Sequence, residues 1–408
     1  MKRSLLMLLV LFVYCIVFSG IGHVQEQAGR GKKQKQGPHR STAAKQSKGK
    51  QSQGKRDSKG KKGKGKKGKG KKGKGKNGRQ LFDEEEFKGN GRTCLTCHLP
   101  NSGAISPEDI QDAFLDDPND PLFRPIDSDQ GDGGSYNRLL ARATFNVTLD
   151  LPDNVELVGD PTARQITLAR GASTTLNNPG FETHLMQDGR NSTLQGQAHG
   201  AVNAHYRPGR QPTEAELNAI AKFEIGNPRF YSSPQMLAWS KGGPQAQLPP
   251  GNTDEEIRGR VWFDTTVAAG VCAHCHGGPF LNETNEFILA GLTPGTRFFT
   301  AFVSEFNLGG NEEFEFDFYD PTDSTAPPIR LTSSDPGRAL ITGDVADFNL
   351  FRIPTLWGAK NTAPYFHDNS AANLEELMDH YQAYFALVGL TITDQDKIDI
   401  ISYMQLLE

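Results

Sequence analysis

VCAHCHGGP, residues 271–279, places a histidine directly after a C-x-x-C pair, and RTCLTCHLP, residues 92–100, repeats the arrangement. The chain has five cysteines, and four of them lie in these two stretches. Cysteines at this spacing sit about one helical turn apart, so both thiols face the same way. Three chemistries use such a pattern. Two thiols reach the two vinyl groups of one haem with the next histidine under the iron, four cysteines hold one zinc, or each pair closes a disulfide. Zinc leaves His98 and His276 as coincidences, and disulfides ignore both. The residues point to two covalent c-type haems, one on Cys94, Cys97 and His98, the other on Cys272, Cys275 and His276. His274 reads as a solvent-facing spacer.

The start of the chain agrees with export. Lys2 and Arg3 precede an apolar run from Leu5 to Phe18, and Ser19, Gly20 and Gly22 offer cleavage sites. This is the pattern of a secretory signal over residues 1–22, and the run is too short for a comfortable membrane span of ~20 residues. Cys15 lies within it. Lipidation of Cys15 is the rival reading, but Phe12-Val13-Tyr14 lacks the small residues such sites carry. Haem attachment in bacteria takes place outside the cytoplasm, so a periplasmic location fits.

Residues 23–79 have a different composition. KGKKGKGKKGKGKKGKGK cannot bury apolar surface and repels itself, so the segment is expected to be an extended, disordered basic arm. Residues 30–79 contain 22 Lys and Arg against one acid, Asp57, whereas residues 80–408 contain 21 Lys and Arg against 46 acids. The formal net charge of -3 hides this division. The arm suits anionic surfaces, and export makes nucleic acid a poor partner.

Two related units are expected beyond the arm, over residues 80–225 and 226–408. Each has a C-x-x-C-H near its start and a capped helix near its end. Thr213 with Glu216 forms a capping box, Thr253 with Glu256 has the same spacing, and Asn373 and Thr393 open further helices. Ile398, Ile401, Leu406 and Leu407 are assigned to the apolar face of the last one. ATFNVTLDLP (143–152) and EEFEFDFYD (312–320) alternate with period two and read as hairpin decorations. The fold class is mainly α: two cytochrome c-like haem domains with long loops and small β-hairpins.

FRIPTLWGAKNTAPYFHDNSAANLEELMDHY (351–381) and TTLNNPGFETHLMQDGRNSTLQGQA (174–198) resemble the two signature stretches of the di-haem cytochrome c peroxidase superfamily, which includes methylamine-utilisation di-haem enzymes. The resemblance covers nearly all of residues 80–408. It implies that the C-terminal haem takes electrons from a small soluble donor, a cytochrome c or copper protein. The N-terminal haem would then reduce hydrogen peroxide or a related oxidant. A homodimer and one calcium ion are also allowed by it. The departures are specific. Gln187 stands where relatives have a tryptophan between the haems, and NAHYRP carries no acid where peroxidases have a distal glutamate. Gln197 matches the distal glutamine. Thr362 and Pro364 match carbonyl ligands of the calcium, but Gly171 replaces its asparagine.

The sixth iron ligand decides the chemistry, since an open position binds peroxide and a closed one only passes electrons. Leu194, Gln197, Ala201 and His205 recur at helical spacing, which puts His205 on the face of Gln197. By analogy with the family that face is the distal wall, so His205 is the candidate ligand of the first haem. His199, His184 and Met186 are weaker ones. For the second haem the register gives Tyr381, with Met378 one turn earlier and His380 adjacent; His367 is expected to buttress the site. Peroxide reduction, with Gln197 and His205 lining the distal side, is the expected activity. A pure electron carrier with both irons closed is the alternative, and oxidation of a protein side chain is a third reading resting on Tyr381 alone.

Overall fold

Two helix crossings, each made possible by a glycine, set out the architecture. The computed structural model describes residues 76–287 and 293–408. The signal segment, Cys15 and the basic arm up to residue 75 therefore lie outside the described residues. Six helices carry the argument: α1 (Gly78–Glu84), α2 (Leu194–Tyr206) and α3 (Glu214–Gly226), then α4 (Asp254–Val261), α5 (Leu374–Leu387) and α6 (Asp394–Met404). Helix α1 packs on α3, and α4 packs on α6. A Cβ at Gly78 would stand 2.1 Å from the Ala219 carbonyl oxygen, and one at Gly259 would stand 2.0 Å from that of Asp399. Only glycine lets the two backbones approach so closely.

The helix starts match the sequence reading. Thr213 with Glu216, Thr253 with Glu256 and Thr393 with Asp396 each form a capping box, and the Asn373 side chain accepts from Glu376 N–H. These side chains satisfy amide groups that have no partner within the helix. Two boundaries differ. The arm was expected to remain disordered through residue 79, but Asn77 caps α1 in a box with Gln80. Lys76 pairs with Glu85 at 2.8 Å, so the arm ends in ordered structure. Ile398 does not belong to the buried face of α6. It is 52% exposed, while Ile400, Tyr403, Met404 and Leu407 are buried.

The strands do more than decorate. Strand β1 (Thr144–Asp150) pairs antiparallel with β3 (Gln165–Gly171), from Thr144 opposite Gly171 to Asp150 opposite Gln165. Between them lies β2 (Val155–Leu157), which joins β4 (Phe314–Phe318) and β5 (Ile329–Ser333) in the order β2-β4-β5. Val147, Leu149, Ile166, Leu168, Phe316 and Phe318 form a buried cluster of their own. Each such side chain contributes about 1.5–3 kcal/mol by burial. The correction follows from β2, whose pairing with β4 joins segments far apart in sequence. The helical core runs from Leu81 and Phe82 to Tyr403 and Leu407 and includes Trp357 and Met378.

A second internal copy accompanies the C-x-x-C-H pair. Residues 185–194 and 365–374 form the same turn, 180 residues apart, each leading into a capped helix. Leu185 N–H donates to Asn191 O at 2.7 Å, and Tyr365 N–H donates to Ala371 O at 2.7 Å. The Asp188 and Asp368 carboxylates each accept from the amide two residues on, both at 3.1 Å. Met186 and Phe366 share a left-handed backbone, φ 69° and 71°. The register continues into the helices: Thr193 and Asn373 cap α2 and α5, and Thr213 and Thr393 cap α3 and α6.

Candidate functional site: two adjoining cavities

Each C-x-x-C-H histidine is held in the same way. His98 Nδ1 donates to Gly103 O at 2.8 Å, and His276 Nδ1 donates to Leu281 O at 3.1 Å, in both cases five residues on. A carbonyl oxygen only accepts, so Nδ1 carries the proton and Nε2 keeps its lone pair for a metal. The backbone repeats too, with His98 N–H and His276 N–H reaching the carbonyls of Cys94 and Cys272 at 3.0 Å. Burial holds both imidazoles below their ordinary pKa, hence neutral. The loop after His276 is fixed by Thr355 Oγ1, which donates to Phe280 O at 2.6 Å, and by Trp357 Nε1, which donates to Pro279 O at 3.0 Å.

One cavity is lined by Cys97, His98, Gln197, Ala201 and His205, and the other by Cys272, Cys275, His276, Met378 and Tyr381. Cys97 thus lines one cavity and Cys272 and Cys275 the other, and no group of three or more potential ligands gathers among the described residues, which argues against a single four-cysteine zinc site. Burial pushes the Cys94, Cys97, Cys272 and Cys275 thiols up to about 12. The residues fit a c-type haem in each cavity: two thiols beside a turn, a histidine nitrogen free to ligate, and a mainly apolar wall. Phe145, Val147, Leu185 and Leu194 supply that wall in the first, and Phe263, Leu356, Trp357 and Phe385 in the second.

His205, the last-turn histidine of α2, lies in the first cavity with Gln197, as the helical spacing predicts. Its Nδ1 is buried without a hydrogen-bond partner, and burial holds its pKa down near about 4. Met186 also lines this cavity, whereas His199 and His184 do not. His199 engages Asn203 on the outer face of α2, and His184 packs edge-on against Phe298. In the second cavity burial holds the Tyr381 hydroxyl well above its ordinary pKa. His380 turns away, its Nε2 donating to Ala301 O at 2.6 Å. His274 is half-buried rather than a free spacer, and its Nε2 donates to Ala268 O at 2.9 Å.

The cavities adjoin. Ala172, Ser173, Thr174, Asn178, Gln187 and Arg352 line both. Gln187 Nε2 donates to Gly171 O at 3.1 Å and to His367 O at 3.2 Å, and Arg352 N–H donates to Gln187 O at 2.7 Å. His367 stacks on Phe351 with ring centres 3.8 Å apart and lines the second cavity. The calcium suggested by the resemblance lacks a ligand. Gly171 has no side chain, and a Cβ there would lie 2.1 Å from Asn369 Oδ1. The Asn369 amide instead donates to Arg142 O and Ala143 O at 2.8 and 3.1 Å.

Several buried charges beside the cavities were not assigned from sequence. Arg170 donates to Asp335 at 2.6 and 2.8 Å and to Asp188 at 2.5 Å, and Arg190 shares Asp188 at 2.6 Å. Burial alone would lower the Arg170 pKa, but Asp335 and Asp188 hold it above its ordinary value. Arg352 and Arg297 both pair with buried Glu182, at 2.9 and 2.7 Å. Glu224, on α3, also lines the first cavity and has no such partner.

No protein-family model matches the chain. Among curated proteins, the cytochrome-c peroxidase IdrP1 of Pseudomonas sp. (strain SCT) is 27% identical over 144 residues, 33% of this chain and 36% of that protein. A cytochrome c551 peroxidase of Nitrosomonas europaea is 35% identical over 72 residues, 18% of this chain and 20% of that protein. The matches thus span about a third and a fifth of the length of these relatives. Among solved structures, a MauG-like protein associated with microbial copper homeostasis aligns over 81% of this chain and 87% of its own, with TM-score 0.46 and 19% identity. The di-haem peroxidase BthA of Burkholderia thailandensis E264 aligns over 81% and 84%, with TM-score 0.38 and 15% identity. In its sequence matches and its paired C-x-x-C-H units, the chain is similar to proteins of the di-haem cytochrome c peroxidase superfamily.

Proposed function

We propose that the chain is an exported, periplasmic two-haem oxidoreductase of peroxidase type, with one cytochrome c-like unit over residues 80–225 and another over 226–408. The observation that carries this is the pair of identically held histidines, His98 and His276, in two cavities that share a wall. A haem bound in each cavity supplies the one-electron chemistry that the side chains lack. Cys94 and Cys97 would hold one such group and Cys272 and Cys275 the other, with His98 and His276 as the iron ligands. Electrons from a small soluble donor enter at the second cavity. The wall of Gln187 and Arg352 keeps the two sites adjacent. Hydrogen peroxide or a related oxidant would be reduced at the first, with Gln197 to orient it and His205 on the same wall. Tyr381, with Met378 behind it, is the ligand candidate of the second site.

His205, facing the cavity of His98, supports a second reading: an electron carrier closed at both irons. Carbon monoxide separates the two. The peroxidase reading expects the reduced protein to bind carbon monoxide at one site and to consume peroxide with a reduced donor. No carbon monoxide complex leaves the carrier. Mass spectrometry tests the common foundation: the mature protein is expected to carry two covalent haem increments, with all four cysteines blocked to alkylation. One haem, or bound zinc, overturns both readings.

A further inference from the structure

The 180-residue register allows each cavity to be read against the other. Residue 224 on α3 corresponds to residue 404 on α6, because Thr213 and Thr393 cap the two helices in the same frame. Met404 lines the second cavity and is buried. Glu224 lines the first and is only 3% exposed. A carboxyl group thus stands where the protein's other half uses an apolar side chain.

Among the described residues no ion pair or hydrogen bond holds this carboxyl. Its Oε2 is buried without a partner. Arg229, the nearby cation, is committed to Asp83 at 2.7 Å and lies over the rings of Phe82, Phe223 and Phe230. Among the elements packed on α3, α1 brings Arg79, Asp83 and Glu84, and α2 brings His205, Tyr206, which is hydrogen-bonded to Cys94, and His199 on its outer face. The short helix Asn178–Phe181 brings no titratable group. His98 and Arg190 share the cavity. Glu224 also lies in the last turn of its helix, where the negative end of the dipole disfavours a carboxylate. An unpaired buried carboxylate is costly, so the group keeps its proton to unusually high pH, and burial pushes it up to about 8.

We propose that Glu224 is the proton-storing group of the first cavity, taking up one proton when the haem bound there is reduced and releasing it on reoxidation. The balance is one electron from a reduced donor and one proton from bulk water, which neutralises the carboxylate; reoxidation returns both. The ferric site carries one more positive charge than the ferrous site, so it favours the carboxylate and reduction favours the acid. The proposal rests on a haem being held by Cys94, Cys97 and His98.

Spectroelectrochemical titration of the intact di-haem protein between about pH 6 and 9 tests it, read together with Glu224→Gln and Glu224→Met. The second variant copies the protein's own other half. In the wild type, the midpoint potential of the first haem is expected to fall as pH rises through the Glu224 titration. Both variants are expected to lose that slope while the second haem is unaffected. The wild-type reduced-minus-oxidised infrared spectrum should also contain a carboxylic C=O band that Glu224→Gln removes. A pH-independent wild-type potential, or a slope that survives in either variant, overturns the proposal. Absence of haem on Cys94 and Cys97, read separately by mass, overturns the two-haem reading instead.

Discussion

Ala201 and Tyr381 hold the same place in helices of matching register, and so do His205 and Phe385. All four line their cavities. In the first half the ring that enters the cavity comes from the last turn of α2, and the alanine one turn earlier leaves the cavity wall small there. In the second half a tyrosine occupies that earlier turn. Replacing His205 with Ala is therefore expected to convert one of two low-spin ferric signals to high-spin in the electron paramagnetic resonance spectrum, with Tyr381 variants changing only the other. An unchanged spectrum would leave His205 a packing residue. At this scale the two C-x-x-C-H units and the placement of His205 beside Gln197 were legible, because each depends on local spacing. Glu224 was not, since a glutamate between Phe223 and Ile225 on an amphipathic helix reads as an ordinary solvent-facing residue. Nor was the Arg170 cluster, whose partner Asp335 is 165 positions away along the chain.

Elements obey the same division between local and distant causes. The capping boxes could be read directly, because Thr-x-x-Glu satisfies its amides within one turn. Glu216→Ala removes such a box and also the bidentate pair with Arg210, at 2.8 and 2.9 Å. A loss of about 1 kcal/mol is expected in denaturant titration at neutral pH. Arg210 holds the Glu216 pKa down to about 2. Its stabilisation is therefore present above the ordinary carboxylate range and is lost as pH falls toward that value, so wild type and variant should converge in acid. The glycine crossings could not be read, since nothing near Gly78 or Gly259 in sequence announces Ala219 or Asp399. Gly259→Ala is expected to cost on the order of 1–3 kcal/mol by forcing α4 and α6 apart, measurable as a lowered Tm with intact haem spectra. Sheet pairing was half legible: alternation gave β1 and β4, but β2 is too short to show a pattern.

Charge belongs to the whole molecule. The arm carries an excess of lysine and residues 80–408 an excess of acid, and at ~0.15 M salt the Debye length of ~8 Å confines attraction between such charges to surfaces in contact. Deleting residues 29–79 also removes Asn77 and the first residues of α1, so the cleaner deletion is 29–75. It is expected to leave both haem spectra intact and to weaken salt-dependent retention on an anionic matrix. Equal retention across a salt series would reduce the arm to a spacer. Among the described residues no helix is long and apolar enough to cross a membrane.

The shared register of the two halves has a consequence for how such a chain diversifies. Turn geometry, caps and glycine crossings are held in common, while residues 201, 205 and 224 differ from 381, 385 and 404. Two sites built on one local geometry can then differ in potential and in proton affinity through a few inward-facing side chains. The capping side chains and the crossing glycines line neither cavity, so such an exchange leaves that part of the frame untouched. Each half is in effect a naturally folded variant of the other, and grafting cavity residues across the register is a route to setting the direction of electron flow.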